Sequence, residues 1–274
     1  MTATADDRYE VVIVKFGTRQ TVRSEVYLNY PLYHEEDGPI GMDYFVWVIR
    51  NGARTILVDT GFSAAGGAAR NRTTLVPPMD AYAALGISPD SAPPIVITHA
   101  HYDHTGHLAQ FPASEIVIAQ AELDFWSGPQ AHQPLFHHSV EDDDLAVLRA
   151  AETAGRVTAF TGRHALAPGV EVIQVGGHTP GQSVVLVQTP AGPVLLASDA
   201  VHYYEELDRE MPFMSVADLV AMYDSFDLIQ EMLADGTITT VVSGHDPGTL
   251  DRFEPLAGVL PGLAAVIGRE GADS

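Results

Sequence analysis

The chain has 274 residues, 46% of them hydrophobic and 18% charged, with 14 basic against 36 acidic side chains and a formal net charge of −22. That length can bury a core without staples, and the composition is that of one globular domain over residues 1–274 rather than a disordered or membrane-spanning chain. The acidic excess repels phosphate backbones and anionic lipid, so neither nucleic acid nor a membrane is an expected partner, and with no cysteine any metal must be held by imidazole and carboxylate.

The opening, MTATADDRYE, is polar and acidic and carries neither the basic region nor the apolar stretch of a secretory signal, which makes the cytoplasm the expected location. Residues 9–17, YEVVIVKFG, alternate and branch at Cβ as a strand does, and MDYFVWVIR followed by NGARTILVDTG reads as a hairpin turning at Asn51-Gly52. PPMDAYAALGI has the proline start and glycine stop of a short helix, and APPIVITHA returns as a buried strand. SEIVIAQAELDFWSG predicts a strand running into a helix, and PQAHQPLFHHS a loop without period. VEDDDLAVLRAAETAG then predicts a helix with apolar positions at Val140, Leu145, Leu148 and Ala151 and acids in its first turn. From residue 157 come strands in RVTAF, GVEVIQV, QSVVLVQT and GPVLLASDA, a long helix over 216–234, a strand in ITTVVSGHD and an apolar C-terminal stretch. Two sheets in one domain, with helices outside them, is the economical architecture.

Four of these strands end in coordinating residues. ITHAHYDHTGH packs His99, His101, Asp103, His104 and His107 into nine positions after a buried strand, while IQVGGHTPG adds His178, LLASDA adds Asp199 and VVSGHD adds His245. A lone histidine at a strand end is usually a surface or satisfied core residue, but four imidazoles have no packing reason to crowd after a buried strand. Glycine precedes His178 and His245, as expected where a backbone turns sharply out of a strand. His99 and His101, two apart, can project together, while Asp103 and His104 on the following turn can face a second ion. Three imidazoles with an open position make a catalytic zinc site, and a carboxylate can bridge two ions. Seven ligands, with His107 left as an outer or structural residue, imply two divalent metal ions, zinc first, with iron, manganese or cobalt also suited. Such a pair sits about 3.5–4 Å apart and shares a hydroxide whose pKa is pulled down towards about 7.

HAHYDH, with the later GGHTPG, SDA and SGHD, resembles the metallo-β-lactamase superfamily of metallohydrolases, and the likeness runs from about FVWVI to SGHD. The resemblance implies an α/β fold, the four-layer αββα metallo-β-lactamase-like sandwich. It also implies His99, His101 and His178 on one ion, Asp103, His104 and His245 on the other, and Asp199 bridging them. VDTG at 58–61 matches a family turn whose aspartate supports a metal-binding histidine, a role that falls to Asp59. LGISPDSAPPIVITHAHYDHTGHLAQFP, the late GHD and EMPF at 210–213 are similar to the N-acyl-homoserine lactonase branch, the quorum-quenching enzymes. That branch places a tyrosine three residues after the bridging aspartate. Here the position is His202, followed by Tyr203, and one of these two is expected to take the tyrosine's part.

The activity so implied is opening of a lactone by a metal-bridging hydroxide, while Asp103, His202 or Tyr203 manages a proton. The expected partner is a small lactone or ester, an N-acyl-homoserine lactone or another apolar or aromatic one, against a wall drawn from Tyr30, Tyr33, Met42, Phe45 and FWSGPQAHQPLFHH. His132, His137 and His138 in that wall read as exposed loop residues rather than a third metal site. The alternatives are a thioesterase of the glyoxalase II type, which needs basic residues that this chain offers sparsely, and a non-catalytic binding module with a closed metal site. A homodimer is an allowed assembly that the sequence does not specify.

Overall fold

In the computed structural model the described residues are 7–269, so the stretch MTATAD of the polar opening lies outside them. β1 (Glu10–Val22) and β2 (Pro39–Arg50) form a long antiparallel pair, from Glu10 opposite Arg50 to Val22 opposite Pro39. The hairpin into β3 (Thr55–Val58) turns as expected at Asn51, whose side chain accepts from the Ala53 and Arg54 amides at 2.9 Å each. Next come α1 (Ala64–Ala69), β4 (Thr73–Thr74), α2 (Pro78–Ala84), β5 (Ile95–Val96), α3 (Tyr102–Thr105), β6 (Ile116–Ala119) and α4 (Gln120–Ser127).

The segment PQAHQPLFHHS is more ordered than its lack of period suggests. It forms a 3-10 turn at Pro129–His132 and the one-turn α5 (Pro134–His137), each opened by a proline whose ring presets φ for a first helical turn. α6 (Asp142–Thr153) buries Leu145, Leu148 and Ala151 as their spacing predicts. β7 (Val157–Phe160), β8 (Arg163–Ala167), β9 (Val170–Gln174), β10 (Ser183–Thr189) and β11 (Gly192–Ser198) follow. β8 escapes a pattern search because it is an edge strand with no fully buried residue. Beyond α7 (Tyr204–Arg209), α8 (Leu219–Ala234) starts three residues later than its apolar spacing suggests. Asp218 sets that start by capping the amides of Val220 and Ala221. β12 (Thr240–Ser243), β13 (Glu254–Pro255) and β14 (Ala264–Ile267) complete the chain, and the apolar C-terminal stretch pairs with β1.

The larger sheet runs β13-β14-β1-β2-β3-β5-β6-β7 with β4 also on β1, and the smaller runs β12-β11-β10-β9-β8. Period-two alternation sorts their side chains. Val11, Ile13, Phe45, Trp47 and Val58 face Val172, Val185, Leu196 and Val242 between the sheets. Val12, Val14, Val46, Val48 and Leu57 point the other way, against Tyr82 of α2, Leu123 of α4 and Leu148 of α6. On the far side Val184, Leu186 and Leu195 pack on Met222, Phe226 and Ile229 of α8. Each such side chain contributes roughly 1.5–3 kcal/mol of burial free energy, so a one-residue slip of register would be ruinous. The outcome is the four-layer αββα sandwich. No helix among the described residues is long and apolar enough to cross a membrane.

Candidate metal centre

Strand β5 of the larger sheet, β11 and β12 of the smaller and the loop after β9 deliver their ends to one edge of the sandwich. From β5 the chain runs through His99 and His101 into α3, which carries Asp103 and His104; His178 lies beyond β9, Asp199 directly follows β11, and His245 follows β12. All seven side chains are buried. Together with His202 they form four buried groups, each with its ligand atoms within 4.8 Å of one another: His99, His101 and His178; His99, His104 and Asp199; Asp103, His104 and His245; and His178, Asp199 and His202.

Several ring nitrogens at the middle of this cluster are not satisfied by their neighbours. His99 Nε2, His104 Nε2, His202 Nε2 and His245 Nε2 are buried without a hydrogen-bond partner. Yet an Asp199 carboxylate oxygen lies 3.7, 3.4, 3.1 and 3.2 Å from them, in that order. Asp103 Oδ2 stands 3.8 Å from both His104 Nε2 and His245 Nε2, while His178 Nε2 and His101 Nδ1 hydrogen-bond to each other at 3.0 Å. Buried polar atoms left unpaired cost free energy. Lone pairs turned towards shared points are satisfied by cations, and a set of imidazoles with carboxylates suits zinc and its neighbours.

The outer nitrogens are tied down, which fixes the face each ring presents. His104 Nδ1 meets Asp59 Oδ2 at 2.8 Å, and His178 Nδ1 and His245 Nδ1 meet the carbonyls of Ser215 and Asp43 at 2.7 Å each. Asp59 also accepts from the amide and the hydroxyl of Thr98, both at 2.9 Å, and the Ser198 hydroxyl lies 2.9 Å from that of Thr98. Asp59 and Ser198 have φ of 60° and 46°, left-handed values for residues with a Cβ, so strain of the order of 1–3 kcal/mol each is held at this edge.

Burial prepares three of the rings for coordination. Burial drives His99 and His101 well below the ordinary histidine range and His178 down to about 3, so all three stand neutral. Burial opposes the charge on Asp199 too, but His245, His202, His104 and His99 around it hold its carboxyl well below the usual range. At His104 burial is outweighed by Asp59, Asp199 and Asp103, which raise the imidazole well above its ordinary value.

The cluster opens onto a cavity of about 940 Å³. Met42 lines it, as do Phe125, Trp126, Leu135, Phe136 and His138 from the segment read as a wall. Phe45 does not: strand alternation gives the cavity Tyr44 and turns Phe45 between the sheets. Tyr30 and Tyr33 sit in a 3-10 turn, Tyr30–Tyr33, beside Tyr27 and outside the cavity wall. His132, His137 and His138 join no metal-binding group among the described residues, and His137 pairs with Asp142 at 3.2 Å. His107 gives Nδ1 to the Thr60 carbonyl at 2.9 Å, away from the cluster.

The two residues singled out after Asp199 part company. His202 turns inward, whereas Tyr203 is buried off the cavity wall and donates its hydroxyl to the Gly41 carbonyl at 3.0 Å. One functional residue is passed over by the sequence reading. Glu122 of α4 is fully buried and accepts from the Ala100 amide at 2.8 Å, the Trp126 indole at 2.7 Å, the Thr179 hydroxyl at 2.7 Å and the Gly181 amide at 2.9 Å. Ala100 separates two candidate ligands and Thr179 follows a third, so one carboxylate fastens two ligand loops together. Its trace in the sequence is an acid four residues before a tryptophan on a largely apolar helix, AELDFW.

A four-layer sandwich with a buried histidine and aspartate cluster at one edge defines a class of metalloprotein. The model of the metallo-beta-lactamase superfamily matches residues 41–245, and the chain belongs to that superfamily. Among curated proteins it is similar to an N-acyl homoserine lactonase of a Bacillus species, 28% identical over 163 residues, 59% of this chain and 59% of the relative. It is also similar to the N-acyl homoserine lactonase AttM of Azorhizobium caulinodans, 28% identical over 179 residues, 64% of this chain and 66% of the relative. The match thus spans about three fifths of the Bacillus protein's length, at 59%. Among solved structures, a quorum-quenching N-acyl homoserine lactone lactonase superposes with a TM-score of 0.73 at 20% identity, covering 90% of this chain and 94% of the other. AidC, a dizinc quorum-quenching lactonase, gives 0.69 at 18% identity, covering 98% and 96%. At such identities these two likenesses speak for the fold.

Proposed function

We propose that this chain is a metal-dependent hydrolase that opens cyclic esters, N-acyl-homoserine lactones or other lactones with an apolar or aromatic side chain. The observation that carries the reading is the set of partnerless imidazole nitrogens gathered round Asp199 at the foot of a largely apolar cavity. The curated relatives, named as lactonases, support the substrate class. His99, His101 and His178 would hold one divalent ion, zinc first, Asp103, His104 and His245 a second, and Asp199 both. Bound there, the ions would lower the pKa of water towards about 7 and polarise an ester carbonyl.

The chain's own residues do the rest. Asp59, Ser215 and Asp43 hold the rings in place, and Tyr44, Phe125 and Trp126 seat an apolar side chain and keep bulk water back. Asp103, on the cavity wall, takes the proton that the attacking water gives up as it adds to the carbonyl and passes it to the leaving alkoxide oxygen. Tyr203, engaged with Gly41, anchors β2 instead of handling that proton.

One observation favours a second reading. Three of the chain's 14 basic residues, Arg19, Arg70 and Arg72, line the same cavity and would pair with carboxylates on the thiol-derived part of an anionic thioester. Proton release in a pH-stat decides between them, with short and long acyl-homoserine lactones, alkyl and aromatic lactones and a thioester offered to metal-loaded and chelated protein. Metal-dependent turnover of a lactone is expected, and Asp199→Asn should lower it about 100-fold or more, the scale of losing one preorganised electrostatic partner. Silence on every lactone by protein with metal bound sinks the proposal. So does an Asp199→Asn variant with undiminished rate and metal content.

A further inference from the structure

We infer that His202 is itself a metal ligand, an eighth beyond the seven expected, and that Glu206 is the residue that positions it. The inference rests on the cluster being a metal centre but not on which ester it cleaves.

The geometry resembles that of the expected ligands in each respect. His202 is fully buried, and its Nε2 lies 3.1 Å from Asp199 Oδ2 without a hydrogen bond between them. A cation between the two would satisfy both. His99 Nε2, His104 Nε2 and His245 Nε2 stand round the same carboxylate in the same unpaired way. Nε2 of His202 is grouped with His178 and Asp199, and the rings of His178 and His202 are 4.7 Å apart. That places His202 with the ion of His99, His101 and His178.

The far side of the ring carries the support a ligand needs. Nδ1 lies 3.3 Å from Glu206 Oε2, and the same oxygen accepts the His202 amide at 3.0 Å, so the ring and its backbone are held by one buried carboxylate. Phe213 stacks on the ring at 3.8 Å and 17°, which leaves it no room to swing out. With Nδ1–H given to Glu206, Nε2 would turn its lone pair inward, as the tautomer of a ligand requires. An ion so surrounded keeps fewer positions for substrate or water than its neighbour.

The test compares wild type with His202→Ala, His202→Phe, which keeps the stack on Phe213, and Glu206→Gln. Each is stripped of metal and checked for native near-ultraviolet circular dichroism. Zinc is then titrated against a competing chromophoric chelator, and cobalt(II) binding is followed by visible absorption. In both His202 variants one of two zinc constants should weaken by at least about 10–100-fold, with a changed cobalt spectrum, and Glu206→Gln should weaken the same ion less. The rise in melting temperature on adding zinc should shrink while the metal-free melting temperature holds. Unchanged constants and cobalt spectra in folded His202 variants overturn the inference. Equal weakening of both ions together with a lower metal-free melting temperature reveals a packing role and overturns it too. A wild type that binds no metal overturns it along with the metal-centre reading. A wild type with two ions and no esterase activity sinks only the proposed function, and the zinc constants still decide the role of His202.

Discussion

Glu122 shows how much a single buried side chain can hold. All four of its partners are donors, two on each oxygen: Ala100 and Trp126 on Oε1, Thr179 and Gly181 on Oε2. Glu122→Gln would set an amide NH2 against two of those donors and leave them unpaired, at about 1–3 kcal/mol apiece. The variant should therefore lose about 3 kcal/mol or more in urea denaturation and bind zinc more weakly, because the strapped residues flank His99, His101 and His178. A change under about 0.5 kcal/mol, the range of an ordinary surface substitution, would show that the strap is idle. The candidate ligands were legible because they are unusual residue types at strand ends. Glu122 and Glu206 were not, since their partners include backbone amides, which carry no signature in a sequence. The glycines teach a finer lesson. Gly177, with φ +87°, makes the sharp turn expected before His178. Gly244 is there for space instead: a Cβ would lie 2.5 Å from the Ser198 carbonyl oxygen and 3.1 Å from Asp199 Oδ1.

Among elements, α7 and α5 escaped the sequence, being too short for a helical period, whereas the long strands and α6 declared themselves by alternation and spacing. α7 matters because it carries Glu206 behind His202, and it is moored from outside by Glu205. Arg23 reaches Glu205 with Nη1 at 2.9 Å and Nη2 at 2.8 Å, Tyr27 donates its hydroxyl at 2.7 Å, and Arg209 bridges Glu205 to Glu35. Hydrogen bonding from Arg23, then from Tyr27 and Arg209, holds the Glu205 carboxyl at about 2, below its ordinary 4.5. Since the folded value is the lower one, the stability it contributes is fully present above about 4.5 and lost as pH falls through about 2. With solvent screening at this partly open site, Glu205→Gln should cost about 1 kcal/mol at neutral pH. The gap between variant and wild type should close on acidification. Urea melts of both proteins at neutral pH and near pH 3 check this, and a gap that stays constant refutes the mooring.

At the scale of the whole molecule, the two-sheet architecture was readable because alternating strands on both sides of a shared interior allow few other packings. What a pattern cannot convey is how the charges balance. The chain carries a formal net charge of −22, and it buries Asp59, Asp103, Asp199, Glu122 and Glu206 within or around one edge. Cations held by the unpaired imidazole nitrogens beside Asp199 would couple metal binding to folding. Each site filled at a hundred times its dissociation constant adds about 2.7 kcal/mol, and a domain of this size gains roughly 2–4 °C of melting temperature per kcal/mol. Two zinc ions should then separate loaded from stripped protein by about 10–20 °C. Screening of the acidic surface by salt acts on both forms alike, so the separation should survive added sodium chloride. Magnesium, a hard ion that prefers oxygen ligands, should not reproduce it at a centre built mainly of imidazoles. Coincident melts would mean that the imidazoles round Asp199 hold no metal, and an equal shift with magnesium that the stabilisation comes from acidic side chains in general.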